Sequence, residues 1–313
     1  MTFAPDGRSL ITAGADLSVK LWDHPARREQ VSLRGYAGGG ALSRDGRLFV
    51  WVANGREVVV LDLKSGAERY TFRGQDRPAQ AVALTLDGDH VAAAVGHPGE
   101  PAELLVWNTR TGRLVQAMSG HAGECAGLAF GPDGKRLASA GRDGAVRVWD
   151  VAAGKARLTL DAGTQPLRAV AWAGGRVAAA GDYLVAWDAS GSELSRRRLP
   201  GDGHALALTR AGLVAVGAGG EVHLFDLAGD GVRESLPIGL KEISFLTFSS
   251  DDRTLAVAGS SGGVKLWDVA TAQERASLPG HRGGAGFAGF ADDGPLLVTV
   301  SRSRAARLWY GPR

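Results

Sequence analysis

Cysteine is almost absent from this chain of 313 residues, in which Cys125 is the only one. A single thiol excludes an internal disulfide framework and a zinc site built from several cysteines. No run of eighteen apolar residues occurs, and the opening MTFAPDGRSL has no apolar stretch of signal-peptide length. We therefore expect no cross-links and no membrane span, and we expect a cytoplasmic protein.

A large excess of charge of one sign is also missing. The chain has 36 basic and 33 acidic residues, so its pI of 9.2 reflects a small imbalance and not a basic face. Partners such as nucleic acid or a membrane surface are therefore not expected. Among the basic residues 30 are Arg and six are Lys, which, with the abundance of Ala and Gly, indicates a gene of high GC content and a bacterial source.

Helical periodicity is missing as well. No stretch of eleven or more residues has an amphipathic helical pattern, and Gly or Asp interrupts the chain about every ten residues. Glycine supplies 46 of the 313 residues, about twice the ordinary share of roughly 7%. Since 44% of the residues are hydrophobic, the chain can still bury a core. The composition favours an all-β protein with many turns.

One pattern recurs along the whole chain: Trp, or a substitute for it, followed by Asp or a substitute. Successive copies are 39, 46, 42, 38, 38, 42 and 42 residues apart, and Asp-Gly turns precede most of them. The pairs are Trp22-Asp23, Leu61-Asp62, Trp107-Asn108, Trp149-Asp150, Trp187-Asp188, Phe225-Asp226, Trp267-Asp268 and Trp309-Tyr310.

The clearest copy, residues 125–160, reads CAGLAF-GPDG-KRLASAG-RDG-AVRVWD-VAAG-KARLTL. It contains four short strands separated by Gly and Asp turns. Such a small sheet cannot bury both of its faces alone, so copies must stack on one another, and closing the stack into a ring protects the edges. The repeats predict a β-propeller.

At these residues the chain resembles the WD40 (WD-repeat) β-propeller family over essentially its whole length. Gly-His pairs at Gly120-His121 and Gly280-His281, each 28 residues before a Trp, add to the resemblance. In this family each blade has strands a to d from the channel outward, and a His, a Ser or Thr, an Asp and the Trp form a stabilising network. Only one repeat has all four residues, namely His121, Ser139, Asp143 and Trp149.

We predict eight blades, with the alternative of a seven-bladed ring plus an extra repeat. The last repeat ends after its strand c at Trp309, so we expect the last blade to lack its outer strand. Residues 1–313 are expected to form a single propeller domain, monomeric and part of a longer polypeptide.

The resemblance also implies where a partner binds. In the family, ligands most often meet the narrower face, built from the d–a loops, the first residues of strand a and the b–c turns. Alignment of the repeats places ten residues of mixed charge there: Tyr36, Gln80, Glu124, Arg142, Arg168, Asp202, His204, Glu242, Ser244 and Arg302. A polar surface for a protein or peptide partner is expected.

Three functions remain in competition. The leading one is a non-catalytic binding scaffold, and the second is a sensory or docking domain of a larger signalling protein such as a kinase. An enzyme is the third, but no catalytic group is recognisable, since the G-S-S-G-G of residues 259–263 lies between strands and not in the strand–turn–helix of a nucleophile elbow. The seven His residues lack metal-ligand spacing, so no metal and no cofactor is expected.

Overall fold

A computed structural model describes the side chains of residues 40–277, except 46, 63, 64, 66, 73–76, 164, 230–233, 241, 250 and 260–263. Outside that stretch it describes only the strands. The strands of the first half are β1 (Thr2–Phe3), β2 (Ser9–Ala13), β3 (Ser18–Asp23), β4 (Arg28–Arg34), β5 (Tyr36–Leu42), β6 (Leu48–Ala53), β7 (Glu57–Asp62), β8 (Ala67–Phe72), β9 (Ala79–Leu84), β10 (His90–Val95), β11 (Glu103–Asn108), β12 (Leu114–Ser119), β13 (Cys125–Phe130), β14 (Arg136–Gly141), β15 (Ala145–Asp150) and β16 (Lys155–Asp161).

The second half continues the same pattern of short strands. They are β17 (Ala169–Ala173), β18 (Arg176–Ala180), β19 (Tyr183–Asp188), β20 (Glu193–Arg198), β21 (Ala205–Leu208), β22 (Leu213–Ala218), β23 (Glu221–Asp226), β24 (Val232–Leu236), β25 (Ile243–Phe248), β26 (Thr254–Gly259), β27 (Val264–Asp268), β28 (Glu274–Leu278), β29 (Ala285–Phe290), β30 (Leu296–Ser301) and β31 (Ala306–Tyr310). Among the described residues there is no helix long and apolar enough to cross a membrane.

Each repeat forms one antiparallel sheet whose strands are hydrogen-bonded in chain order. Seven sheets have four strands, and the sheet of β29, β30 and β31 has three. The predicted all-β architecture is therefore confirmed. Below, a sheet is named by its four strands, and its first strand is the inner one.

The sheets follow one another around an axis through contacts between their inner strands. β5 contacts β9, β9 contacts β13, and the series continues through β17, β21 and β25 to β29. β29 contacts β1 and also β5. Because the last sheet contacts two successive sheets, these contacts do not choose between eight blades and a seven-bladed ring with an extra repeat. The blade count stays a prediction.

In the repeats whose side chains the structure describes, the aromatic residue of the Trp-Asp pair packs backwards, onto the preceding sheet. Trp149 on β15 lies in one buried cluster with Leu104 and Val106 of β11, and Trp187 on β19 lies with Val146 and Val148 of β15. Side chains alternate between the two faces of a strand, so Val148, one residue before Trp149, faces the following sheet. Each sheet thus buries both faces only because it has neighbours.

The Asp of the Trp-Asp pair stabilises the turn that follows the strand. A side-chain oxygen of Asp150 accepts a hydrogen bond from the Ala153 amide at 3.0 Å, and Asp188 accepts one from Ser190 at 2.9 Å. At Asp268, hydrogen bonds from the Thr271 amide and from Arg275 lower the pKa of the carboxyl to about 2. The Trp-Asp pair therefore joins a core residue to a turn residue.

Side chains of the outer strands tie neighbouring sheets together. The hydroxyl of Tyr70 on β8 donates to the Arg110 carbonyl at 2.8 Å. Arg196 on β20 donates to the carbonyls of Ala162 and Asp161 at 2.8 and 2.9 Å, and Arg197 donates forward to Gly229 at 2.5 Å. The densest basic run of the sequence thus contributes two guanidinium groups to contacts between sheets.

The contact of Tyr70 with the next sheet leads to a test. Gly112 has φ +68°, and a methyl group there would overlap the Tyr70 ring, whereas Gly99 has φ +81° with nothing within 4 Å. Both Gly112→Ala and Gly99→Ala place alanine in a left-handed conformation. We expect Gly112→Ala to lower the free energy of unfolding by roughly 1–3 kcal/mol more than Gly99→Ala, the cost of overpacking. Urea denaturation of both variants measures the difference, and equal losses would refute the contact.

Candidate functional site

The connections between sheets and the turns between the second and third strands lie at the same end of the sheets, because neighbouring strands are antiparallel. We call this end the upper face; it corresponds to the predicted narrow face. Backbone hydrogen bonds join its parts: the Arg142 amide donates to Glu124 at 2.8 Å, and the Arg168 amide donates to Ala180 at 2.8 Å. The upper face is therefore held by the main chain.

At the upper face of the β13–β16 sheet, four side chains form one hydrogen-bonded chain. Trp149 Nε1 donates to Ser139 Oγ at 2.8 Å, and Ser139 Oγ lies 2.7 Å from His121 Nε2. His121 Nδ1 lies 3.0 Å from Asp143 Oδ1. With the proton on Nδ1, each hydroxyl, indole and imidazole hydrogen of this chain has an acceptor.

Burial and hydrogen bonding set the protonation states of His121 and Asp143. Burial lowers the pKa of His121, since desolvation outweighs the attraction of Asp143. For Asp143, burial alone would raise the pKa, but hydrogen bonds from the Ala122 amide at 3.0 Å and from His121 hold it below its usual value. A neutral imidazole thus sits against an ionised carboxylate.

Arg147 is a fifth member of this network that the sequence reasoning missed. Its guanidinium donates a hydrogen bond to Asp143 Oδ2 at 2.9 Å and so joins the network through the carboxylate. A signal was available, because Arg147 precedes Trp149 by two residues and is paired with Ser139 across the strands. Lys20 and Arg307 have the same pairing with Thr12 and Thr299.

In the β25–β28 sheet the hydroxyl that accepts the hydrogen bond of the Trp indole is missing. Val257 is paired with Lys265, at the position that Ser139 occupies opposite Arg147. The indole nitrogen of Trp267 is buried there and has no hydrogen-bond partner. The packing of this Trp therefore does not depend on the network.

Three of the predicted partner-binding residues lie around the start of β13. Glu124 accepts hydrogen bonds from the Gly99 amide at 2.7 Å and forms an ion pair with Arg142 at 3.0 Å. The side chain of Arg142 is 51% exposed and that of Glu124 is 17% exposed. Gln80 is half-buried and bridges two sheets, since it donates to Gly96 at 3.3 Å and accepts from the Cys125 amide at 3.2 Å.

A second group of predicted residues lies where the β17–β20 and β21–β24 sheets meet. Arg168 donates to Asp202 at 2.5 Å, and His204 Nε2 lies 3.9 Å from the same carboxylate. Asp182, which the sequence reasoning missed, hydrogen-bonds to Asp202, and this contact raises the pKa of Asp182 and lowers that of Asp202. Tyr183, the next residue in the sequence after Asp182, has an exposed ring.

The remaining predicted residues do not join either group. Glu242 is exposed, and Ser244 is partly buried and donates to the Ala258 carbonyl at 3.2 Å. The side chains of Tyr36 and Arg302 lie outside the described residues. The structure therefore brings together two groups, Glu124 with Arg142, and Arg168 with Asp202 and His204.

Cys125 is buried at the start of β13, and burial raises the pKa of its thiol to about 12. A thiol with such a pKa is not a nucleophile at neutral pH. Within the described part of the chain, no group of three or more His, Cys, Asp or Glu side chains could hold a metal ion.

Comparison with known proteins finds a family match in three segments of the chain. The family model of the WD domain, G-beta repeat, matches residues 1–23, 112–150 and 239–268. A chain in the crystal structure of the Mitotic Checkpoint Complex superposes with a TM-score of 0.77 at 18% identity, over 88% of this chain and 87% of that chain. This likeness shows the fold.

Curated relatives match about half of the chain. Periodic tryptophan protein 2 homolog of Mus musculus is 29% identical over 48% of this chain and 16% of its own length. Centriole proteome protein 16 of Chlamydomonas reinhardtii is 31% identical over 49% and 9%. Eukaryotic translation initiation factor 3 subunit I of Drosophila grimshawi is 27% identical over 47% and 49%. These relatives are eukaryotic and give no support to the expected bacterial source.

The hydrogen-bonded chain predicts a loss of stability for Asp143→Ala. Removing the carboxylate leaves the His121 ring, the Ala122 amide and Arg147 without their acceptor, which costs roughly 1–3 kcal/mol. Asp133→Ala is the control, because Asp133 holds a turn at the opposite end of the same sheet through the Lys135 amide. We expect a clearly lower melting temperature for Asp143→Ala than for Asp133→Ala, measured by differential scanning calorimetry. Equal shifts would mean that the network does not stabilise the sheet.

The lowered pKa of His121 predicts a dependence on pH. The folded protein binds this proton less well than the unfolded chain, so the stabilising contribution is present above about pH 6.5 and is lost as pH falls below it. We expect the melting temperature to fall less on acidification in His121→Gln than in the unaltered protein. His97→Gln, at an exposed loop position, is the control and should keep the original pH dependence. An unchanged slope in His121→Gln would contradict the assignment.

Proposed function

We propose that this WD40-repeat β-propeller is a non-catalytic scaffold that binds a protein or peptide partner through its upper face. The observation that carries the proposal is the pair of charged groups found there, Glu124 with Arg142 and Arg168 with Asp202 and His204. Both lie on turns that the main chain holds in place. Rigid turns that present charged side chains supply specificity at little cost in ordering.

The charges on the upper face suit exchange with a partner. Exposed ion pairs contribute only about 0–1 kcal/mol to stability, so a partner can replace one member of a pair without unfolding the sheet. Arg142 is the more exposed member of its pair, and its guanidinium can turn towards a carboxylate of the partner. The second group has two carboxylates, Asp182 and Asp202, beside Arg168. We infer a polar partner surface that carries both signs of charge.

The names of similar proteins support a role in assemblies. One relative is named as a subunit of eukaryotic translation initiation factor 3, and the similar structure is that of a checkpoint complex. An alternative is a sensory or docking domain of a larger signalling protein. The chain matches only 9% to 49% of the length of the three named relatives, and this small share favours the alternative. A cytoplasmic location, a monomeric domain and the absence of nucleic-acid and membrane partners stay predictions.

Charge reversal tests the upper face. The partner is first identified by cross-linking to the unaltered protein. We expect Arg142→Glu or Arg168→Glu to weaken its binding by about tenfold or more, because each substitution places like charges in the contact. Arg69→Glu is the control, since Arg69 is exposed on the outer strand β8. Arg197 is unsuitable as a control because it contacts Gly229 and the Phe225 ring. Calorimetric titration measures the affinities.

The opposite pattern, in which Arg69→Glu weakens binding and the upper-face variants do not, would move the site to the side of the ring. Melting temperatures of all three variants show whether a loss of binding arises from unfolding.

A further inference from the structure

The turns between the first and second strands lie at the end of the sheets opposite the upper face, and we call this end the lower face. In the sheets from β5 to β28, four of these six turns contain at least one Asp, namely residues 43–47, 85–89, 131–135 and 249–253. An Asp of this kind folds back onto its own turn, as Asp133 does in accepting a hydrogen bond from the Lys135 amide at 3.0 Å. The turns of the β17–β20 and β21–β24 sheets, residues 174–175 and 209–212, have no Asp.

Cations are kept where these acidic residues are lost. Four of them lie at the lower ends of three successive sheets, and we call them the lower basic patch: Lys135, Arg136, Arg176 and Arg210. Lys135 and Arg210 are exposed, and the side chain of Arg136 is 30% exposed. In residues 131–136, 174–176 and 209–212 the one acidic residue is Asp133. The patch therefore carries an excess of positive charge on a chain that is otherwise nearly balanced.

The arginines of the patch reach from one sheet to the next. The guanidinium carbon of Arg136 lies 5.1 Å from the centre of the Trp172 ring on β17, and Arg176 donates to the Arg210 carbonyl at 3.3 Å. Arg210 acts on the β25–β28 sheet, since burial raises the pKa of Asp252 there and the positive charge of Arg210 opposes this rise. The four cations thus belong to one surface that crosses the boundaries between sheets.

The carboxylates described beside the patch do not cancel its charge. Asp188 is paired with Arg176 across the strands, but it accepts hydrogen bonds from two amides of its own turn, each at 2.9 Å. Asp133 lies 3.6 Å from Arg136, with its side chain 41% exposed, and such an exposed pair is weak. A carbonyl oxygen, the acceptor for Arg176, carries no net charge. The guanidinium groups therefore remain attractive to an anion.

We propose that the lower basic patch binds an acidic segment of a partner protein, in a contact separate from the upper face. This goes beyond the proposed function. Stacking on Trp172 uses the flat side of the Arg136 guanidinium and leaves N–H groups at its edge, where they match the two oxygens of a carboxylate. The ring also holds the guanidinium in place, which reduces the ordering that binding requires.

The borders of the patch favour a short acidic segment over a nucleic acid. Packed sheets lie about 10 Å apart, so three sheets span roughly 20 Å, which about six extended residues cover. Acidic turns lie beyond, with Asp87 and Asp89 on one side and Asp251 and Asp252 on the other. These turns would repel a polyanion that continued past the patch, whereas tight nucleic-acid binding depends on many phosphate contacts.

Calorimetric titration of the full chain with hexaglutamate, its ends acetylated and amidated, tests the proposal. In about 0.1 M NaCl distant charges are screened, and we expect saturable binding of hexaglutamate and no binding of hexaglutamine. Arg210→Glu should raise the dissociation constant by about tenfold or more, because it places like charges in the contact. The matched control is Arg69→Glu, which makes the same change of charge at an exposed position on β8 and should leave the affinity unchanged.

Arg142→Glu on the upper face separates this proposal from the proposed function, since it should leave the affinity for hexaglutamate unchanged. Melting temperatures show whether each variant folds. Arg210→Gln removes the charge without adding a carboxylate beside Asp252, so it keeps the test valid if Arg210→Glu unfolds, and it should weaken binding in the same direction.

Three results would overturn the proposal. The first is no binding of hexaglutamate at about 1 mM, and the second is an equal loss of affinity in Arg210→Glu and Arg69→Glu. The third is tighter binding of a single-stranded oligothymidine of similar length than of hexaglutamate, lost in Arg210→Glu, because the patch would then serve a nucleic acid. A loss of hexaglutamate binding in Arg142→Glu but not in Arg210→Glu would also contradict it, since the acidic segment would then belong to the upper face.

Discussion

The structure depends on burial of the strand-c aromatic residue against the preceding sheet. A four-stranded sheet of short strands has two apolar faces, and alternation along β15 sends Trp149 to one neighbour and Val148 to the other. Neither face can be buried inside the repeat, so each sheet is stable only between its neighbours. The order of the sheets and the position of the upper face both result from this packing.

Polar groups refine this framework in ways that differ from sheet to sheet. The β13–β16 sheet carries a complete hydrogen-bonded chain from Trp149 to Asp143, whereas Trp267 packs with an indole nitrogen that has no partner. Burial of a large aromatic ring contributes about 1.5–3 kcal/mol, and a net hydrogen bond about 0.5–1.5 kcal/mol. The apolar contact therefore suffices to place the sheet, and the network adds rigidity where its four residues are present.

Charged residues divide into those that hold the fold and those that remain available. Arg196 and Arg197 are consecutive, yet alternation sends them to opposite neighbours, where each binds backbone carbonyls. Arg142, by contrast, is half exposed and contacts a single carboxylate. Arginines that look alike in the sequence thus have different roles. Arg196 and Arg197 hold neighbouring sheets together, and only an exposed arginine such as Arg142 is suited to meet a partner.

The sequence alone determined the all-β class, the repeat and the four strands of its clearest copy, residues 125–160, because Trp-Asp spacing and Asp-Gly turns are local patterns with a direct physical meaning. The resemblance to the WD40 family added His121, Ser139, Asp143 and Trp149, and the structure joins these four residues by hydrogen bonds. Only the tertiary structure decided which charges pair, since Arg168 with Asp202, and Asp182 beside them, come from adjacent sheets. Contacts between sheets depend on how two surfaces face each other, and no spacing along the chain encodes that.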